Sequence, residues 1–253
     1  MRRILRRLAG VAVLLLGWEG FSRSGLIARE YFPPPSEVVV ALARMLGERE
    51  FLLDLIATLL AWLIAVGVAV LVAVPAGLLL GSIPLVRTAV GAVIEFLRPI
   101  PAIMWFPLFY IILMDGAETK IMLAAYAAAW PILFNIVYAL GEVERGYVET
   151  ARSFGLGRLA ILLRVKLPDV VPFAITSLRI AATFALLVVV STELVFGGDR
   201  GVGIYLIRYG EESGRLDIVL AGAVVAGVLG YLSNSAFAAL QRKFVVWAPG
   251  EVR

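Results

Sequence analysis

The chain has 253 residues, 61% hydrophobic and only 17% charged, with 23 Lys and Arg against 19 Asp and Glu for a net charge of +4. That balance lies far from soluble domains and is the balance of an integral membrane protein. Cysteine and histidine are both absent, which excludes disulfides, zinc sites of the Cys/His kind and nucleophilic catalysis with a histidine base.

A helical span needs roughly 20 apolar residues to cross about 30 Å of hydrocarbon. The first segment, MRRILRRLAGVAVLLLGW, has the basic start and short apolar core of a signal peptide. Trp18, Glu19 and Phe21 put bulk and charge where cleavage needs small residues, so a retained signal-anchor span over about 4–22 is expected. Next, the prolines of Phe32-Pro33-Pro34-Pro35-Ser36-Glu37-Val38 stiffen the chain, and Ser36 is expected to cap a short surface helix running through Ala41 and Met45.

Leu55 to Val86, Ile121 to Gly141 and Ile218 to Gln241 are spans without a charged residue. Thr88 to Met114 is interrupted by Glu95 and Arg98, and Val170 to Phe196 by Arg179 and Glu193. Barrel strands would be shorter and alternating, and an open sheet in lipid would leave backbone groups unpaired. The expectation is an all-α integral membrane protein of about six transmembrane helices. One domain covers 1–253, with a helical core over about 52–243, since no linker, low-complexity tract or repeat divides it. After Phe196, GGDRGVGIYLIRYGEESGR predicts a loop with a short re-entrant or surface helix.

Lys and Arg beside spans favour the cytoplasm. With the N-terminus inside, the inner segments hold Arg2, Arg3, Arg6, Arg7, Arg87, Arg145, Arg152, Arg158, Arg164, Lys166, Arg242 and Lys243, and both termini are cytoplasmic. One inner segment, about 142–168, is too periodic for disorder. Glu142 to Phe154 predicts one helix with an apolar stripe of Val143, Tyr147, Ala151 and Phe154, ended by a left-handed turn at Gly155 and Gly157. A second helix from Arg158 exposes Leu159, Leu162 and Leu163 and stops at Pro168.

A basic loop of this kind can simply enforce topology. Its spacing says more: Glu149-Thr150-Ala151, Gly155 and Val165-Lys166-Leu167-Pro168 resemble the EAA signature of importer-type ABC transporter permeases, E-A-A-x-x-x-G-x(9)-I-x-L-P. Thr150 replaces an alanine of that signature and Val165 an isoleucine. The proline-rich segment at 32–38, Leu97-Arg98-Pro99-Ile100-Pro101 and Pro131-Ile132-Leu133-Phe134-Asn135 look like corresponding segments of the nitrate/sulfonate/taurine subfamily.

The resemblance implies a type I importer permease fold, a homodimer with solute passing along its interface, two cytoplasmic ATPase subunits and an extracytoplasmic substrate-binding protein. It implies that Glu149, Thr150, Ala151, Arg152, Phe154, Gly155, Leu167 and Pro168 form an ATPase-coupling knob, with Phe154 as anchor and Glu149 and Arg152 as rim charges. The solute is expected to be a small anion such as a sulfonate, taurine, nitrate or bicarbonate. A vitamin or pyrimidine precursor is the alternative. A bacterial or archaeal cytoplasmic membrane is the expected location.

No G-x-x-x-x-G-K-[ST] phosphate loop is present, so ATP and magnesium are expected on the partner and no cofactor or metal on this chain. No nucleic acid partner is expected. A membrane enzyme is disfavoured because Lys120, Lys166 and Lys243 all fall outside the spans. A secondary transporter or channel fits the intramembrane charges but has no use for the coupling signature.

Charges at bilayer depth tend to face protein or water. Arg98, followed by Pro99 and Pro101, either lines a cavity or pairs with Glu95 one turn away. Glu193, near the outer end of its helix, can guard a gate or meet the binding protein, whereas a structural role suits Arg179. Trp105, Tyr126 and Trp130 are candidate path residues that can equally fill helix contacts. Gly77 and Gly81, with Gly222, Ala226 and Gly230, are spaced for close helix packing.

Overall fold

The computed structural model describes residues 2–244, and every regular element among them is helical. Residues 245–253, part of the single-domain expectation, lie outside the described residues, as do the side chains of Arg2, Arg3 and Arg7. In chain order the helices are α1 (Arg2–Arg23), α2 (Pro35–Gly47), α3 (Arg49–Ser82), α4 (Pro84–Leu97), α5 (Phe106–Leu113), α6 (Gly116–Glu142), α7 (Arg145–Ser153), α8 (Arg158–Ile161), α9 (Leu167–Phe196), α10 (Val202–Leu206) and α11 (Leu216–Phe244). A 3₁₀ turn, Ala102–Trp105, precedes α5, and wide π turns follow α8 and α10. The helices group into two compact units, Met1–Leu59 with Val190–Val228, and Leu60–Val189 with Leu229–Arg253.

Four helical segments are long and apolar enough to cross a membrane: Arg49–Ser82, Gly116–Glu142, Arg158–Phe196 and Leu216–Lys243. The expected straight span from Thr88 to Met114 is not one helix. Pro84–Leu97 and Ala102–Leu113 meet at 92°, so this stretch is a broken span or re-entrant loop, and among the described residues it makes a fifth crossing if the bent pair is one span. The break coincides with Pro99 and Pro101, which donate no N–H to the preceding turn; Arg98 keeps helical dihedrals (φ −55, ψ −47), so the chain turns after it.

In the first unit, the prolines deliver the chain into α2 with Pro35 as its first residue. Ser36 is not the cap that its position suggested: no side chain of the helix caps it. Glu19 of α1 does this work, accepting the Ser36 N–H at 3.1 Å and its hydroxyl at 2.8 Å. Ser22 Oγ donates to the Phe32 carbonyl at 2.6 Å, and Val38, Ala41 and Met45 bury one face of α2.

In the second unit the core is built largely from alanine. Ala61, Ala65, Ala69 and Ala73 of α3 are buried with Ala124, Ala128, Ile132 and Ile136 of α6 and Ala181, Ala182 and Ala185 of α9. Lipid supplies no hydrophobic drive between helices, so close backbone approach and dispersion hold them, and small residues permit both. Trp62 Nε1 adds a tie, donating to the Ala182 carbonyl at 2.8 Å. Gly77 and Gly81 continue the α3 stripe at the same four-residue step and pack inside this unit. A Cβ on Gly77 would sit 3.0 Å from Ile136 Cβ and 3.2 Å from the Leu133 carbonyl, and one on Gly81 2.5 Å from Leu140 Cδ1. Gly222 serves the first unit instead, where its missing side chain makes room for Leu206.

Gly77→Leu therefore forces α3 and α6 apart. Overpacking of this kind costs about 1–3 kcal/mol, which corresponds to a fall of roughly 2–10 °C in the detergent melting temperature of a chain this size. Gly67→Leu, where nothing lies within 4 Å of the new Cβ, is the matched control and should melt like the unaltered protein.

Candidate functional site

Two features gather the residues singled out from sequence: a cavity around the α4–α5 break and a projecting segment over 145–168. Both lie in the second unit.

Pro101 cannot donate to the Leu97 carbonyl, which helical geometry would have assigned to it. That carbonyl instead accepts the Ile100 N–H at 3.2 Å and Tyr126 Oη of α6 at 2.8 Å. Tyr126, Trp130 and Phe134 stand four apart and share one face of α6. Their rings form a ladder: Trp105 to Tyr126 at 6.0 Å between centroids, Tyr126 to Trp130 at 5.5 Å edge-on, and Trp130 to Phe134 at 6.0 Å stacked. Arg98 closes it, its guanidinium 4.4 Å above the Phe134 ring. This contact is a cation–π pair rather than the Glu95 ion pair that sequence left open; among the described residues no carboxylate lies within ion-pair distance of Arg98.

Arg98, Tyr126, Trp130, Phe134, Asn135 and Phe184 line a cavity of about 390 Å³. Among the sequence candidates, Arg98, Tyr126 and Trp130 meet there. Trp105 joins through the ladder, while Pro99 and Pro101 form the exposed turn behind it. Phe134 and Asn135 carried no individual role in the sequence reading, although the 126–130–134 spacing was the signal for the first. The indole N–H groups of Trp105 and Trp130 are buried without an acceptor among the described residues. A buried donor left unpaired costs about 1–3 kcal/mol; of these two, Trp130 lines the cavity and Trp105 does not.

Glu193 is not among the residues lining that cavity. It is fully buried in the first unit and bonded to Thr58 and to the backbone N–H of Gly203. Arg179 is half-buried and has no ion pair among the described residues.

The projecting segment differs from expectation at both ends. No single helix runs from Glu142 to Phe154: α6 ends at Glu142, the chain turns at Val143 and Glu144, and α7 begins at Arg145. Val143 turns inward and is buried. The other end of α7 closes as the glycine pattern required. Gly155 has φ +78, its N–H donates to the Arg152 carbonyl at 2.8 Å, and the Leu156 N–H reaches the Ala151 carbonyl at 3.1 Å. These two bonds make a Schellman turn. Gly157 is not left-handed; with φ −71 it precedes α8 as an extended residue. Pro168 does not stop the second helix. The backbone widens to a π turn over Leu162–Lys166, where the Leu167 N–H reaches back to the Leu162 carbonyl, so Arg158–Phe196 continues as one segment of 39 residues.

Glu149, Thr150, Arg152, Phe154 and Gly155 are exposed, Phe154 to 79%, and a side chain on Gly155 would meet open space. Ala151 faces inward and is buried, so its small size serves the packing of the segment on itself. Beside α7 runs a groove of about 550 Å³ whose lining includes Thr150, Ala151, Phe154, Leu156, Arg164 and Pro168. Leu167 is half-buried at its edge.

The sequence pattern of the family described as binding-protein-dependent transport system inner membrane component matches residues 73–246. The taurine transport system permease protein of Escherichia coli K12 is similar to this chain at 30% identity, over 100% of this chain and 92% of that protein. A bicarbonate transport system permease protein of Synechocystis sp. PCC 6803 is 26% identical over 98% and 90%. A nitrate import permease protein of Leptolyngbya laminosa is 29% identical over 68% and 62%. Among solved structures, an inward-facing form of the MetNI methionine ABC transporter matches with a TM-score of 0.67 at 22% identity, covering 78% of this chain and 99% of that one. The fold is that of type I ABC importer permeases.

Tyr126→Phe removes the hydroxyl that serves the Leu97 carbonyl. The net loss is about 1 kcal/mol, so the detergent melting temperature should fall by roughly 2–4 °C, while Tyr110→Phe, in the same unit and away from the Leu97 carbonyl, should leave it unchanged.

Proposed function

The chain belongs to the family of binding-protein-dependent transport system inner membrane components, and from that premise we propose that it forms one half of a homodimeric, ATP-driven importer gripped by its ATPase through α7. It is a transport permease of the ABC importer class, embedded in the membrane. ATP and magnesium belong to the partner ATPase, since this chain has no phosphate loop. A binding protein delivers solute on the face opposite the coupling segment, and both termini lie on the ATPase side.

The observation that carries the coupling role is α7 itself. It is a short helix whose outer face leaves Glu149, Arg152 and Phe154 uncovered and whose end is fixed by the Gly155 turn. An exposed aromatic anchor with charged neighbours suits an interface in which the aromatic fills a pocket and the charges form the rim. A rigid knob of this kind can transmit displacement into Arg158–Phe196, because the chain passes directly from one to the other.

For the solute we favour a small anion. The related permeases named above serve taurine, bicarbonate and nitrate, and Arg98 brings a permanent cation to a cavity lined by Trp130, whose buried indole N–H has no acceptor among the described residues. The aromatic ladder supports a second reading, a planar pyrimidine-type vitamin precursor stacking on Tyr126, Trp130 and Phe134.

Gly155→Val tests the coupling. A β-branched residue at φ +78 costs about 1–2 kcal/mol, so co-purification of the ATPase should fall about tenfold with uptake lost and membrane levels of the permease unchanged; retained uptake would count against α7 as the coupling element. Arg98→Ala tests the solute. Uptake of radiolabelled taurine, nitrate or bicarbonate should fall at least tenfold if the anion reading holds, on the order of 1.4 kcal/mol of lost stabilisation, whereas a neutral ring compound should be carried undiminished.

A further inference from the structure

The start of α10 exposes three consecutive N–H groups that the helix cannot satisfy, and each meets a side-chain acceptor within the first unit. The Gly201 N–H donates to Asp54 Oδ1 at 3.2 Å, the Val202 N–H to Thr58 Oγ1 at 2.9 Å and the Gly203 N–H to Glu193 Oε2 at 3.0 Å. Thr58 in turn donates its hydroxyl hydrogen bond to the Glu193 carboxylate, 3.0 Å from both oxygens. Asp54 and Thr58 lie one turn apart on α3, and Glu193 lies on α9. All three are buried, at 3%, 0% and 0% exposure.

The fit leaves no slack. A Cβ on Gly201 would fall 2.2 Å from the Glu193 carboxyl carbon, and one on Gly203 2.7 Å from Glu193 Cβ and 2.9 Å from the Val190 carbonyl. Further along α10, Tyr205 donates its hydroxyl to Glu48 and sets its ring edge against Phe51 at 5.0 Å. Burial and the Glu48 bond push the Tyr205 phenol well up, so it stays a donor. Leu206 fills the space left by Gly222.

Apolar packing alone would anchor a loop more cheaply than buried carboxylates, which cost several kcal/mol to bring out of water and in spans mark function by default. What the carboxylates add is direction. The acceptors belong to two separate spans, so all three bonds persist only while α3 and α9 keep their spacing at this level; a shift of about 1 Å takes a 3.0 Å bond out of range. Transporters work by moving helices against each other. We infer that Asp54, Thr58 and Glu193 are positioning residues that latch α10 in the resting permease, and that the latch lets go when α3 and α9 separate during turnover.

The absence of cysteine makes the test direct. Ile204 is 6% exposed and Ala128, in the second unit, 0%, so Ile204→Cys reports on α10 and Ala128→Cys on general folding. Modification by a maleimide is timed in permeabilised membranes containing the permease and its co-expressed ATPase. At rest both reporters should react slowly. Adding Thr58→Val, which removes one acceptor and one donor, or Gly201→Ala, which pushes the backbone off Glu193, should speed the Ile204→Cys reporter at least tenfold and leave Ala128→Cys slow. Trapping the unaltered latch with ATP and orthovanadate should speed it similarly.

A slow Ile204→Cys reporter in both variants would show that these bonds do not position α10. If it is fast in the variants but silent on trapping, α10 is a fixed anchor and release is overturned. Should Ala128→Cys also react in the variants, they have unfolded, and the trapping arm decides alone on an intact latch. The variant arm needs no ATPase, so its outcome is separable from that of the coupling proposal.

Discussion

Inside hydrocarbon, every backbone N–H and C=O must find its partner within the protein, and the distinctive parts of this structure are the places where a helix stops meeting that demand. Three such places occur. At the α4–α5 break the Leu97 carbonyl, deprived of Pro101, takes the Tyr126 hydroxyl. At the head of α10 three N–H groups take Asp54, Thr58 and Glu193. Before Pro168 the ladder widens into a π turn and keeps a backbone partner for Leu167. The first two repairs recruit residues far away in sequence, so those breaks fix the relative placement of helices as well as satisfying themselves.

Between these points the helices are held by proximity. Leucine against lipid and leucine against leucine are nearly equivalent, so the α3 stripe from Ala61 through Gly81 gains by letting α6 and α9 approach. Large apolar side chains are turned out in return: Leu63, Leu71, Val72 and Leu79 of α3 are exposed to between 50% and 76%, as a lipid-facing surface requires. The pattern inverts that of soluble domains, where the bulky residues would be the buried ones.

The sequence revealed elements whose signal is local. Uncharged runs marked α3, α6 and α11, and the small-residue step on α3 marked its packing face. Gly155 marked the end of α7 because a left-handed residue there admits little else. Features that depend on what a segment packs against were not legible. A run of apolar residues from Thr88 to Met114 reads the same straight or bent at 92°. Ser36 looks like a cap, yet which carboxylate serves α2 depended on Glu19 arriving from α1. That Glu193 would meet Thr58, 135 positions away, had no local signal either. Pro168 looked like a stop because a π turn has no composition of its own.

The segment Arg158–Phe196 ties these features together. It begins beside α7, in the part of the chain proposed to meet an ATPase, and its far end carries Glu193 against α10. At about 1.5 Å per residue, 39 residues of helix extend roughly 58 Å, more than a bilayer. A helix of that length transmits displacement well along its axis, and its π turn at Leu162–Lys166 is the place where a tilt at the loop can be taken up without breaking the ladder. Glu193, buried and bonded to Thr58 and to the Gly203 N–H, ties α9 to α3 and α10, whereas Arg98, Tyr126, Trp130 and Phe134 bring a cation and aromatic faces to a cavity.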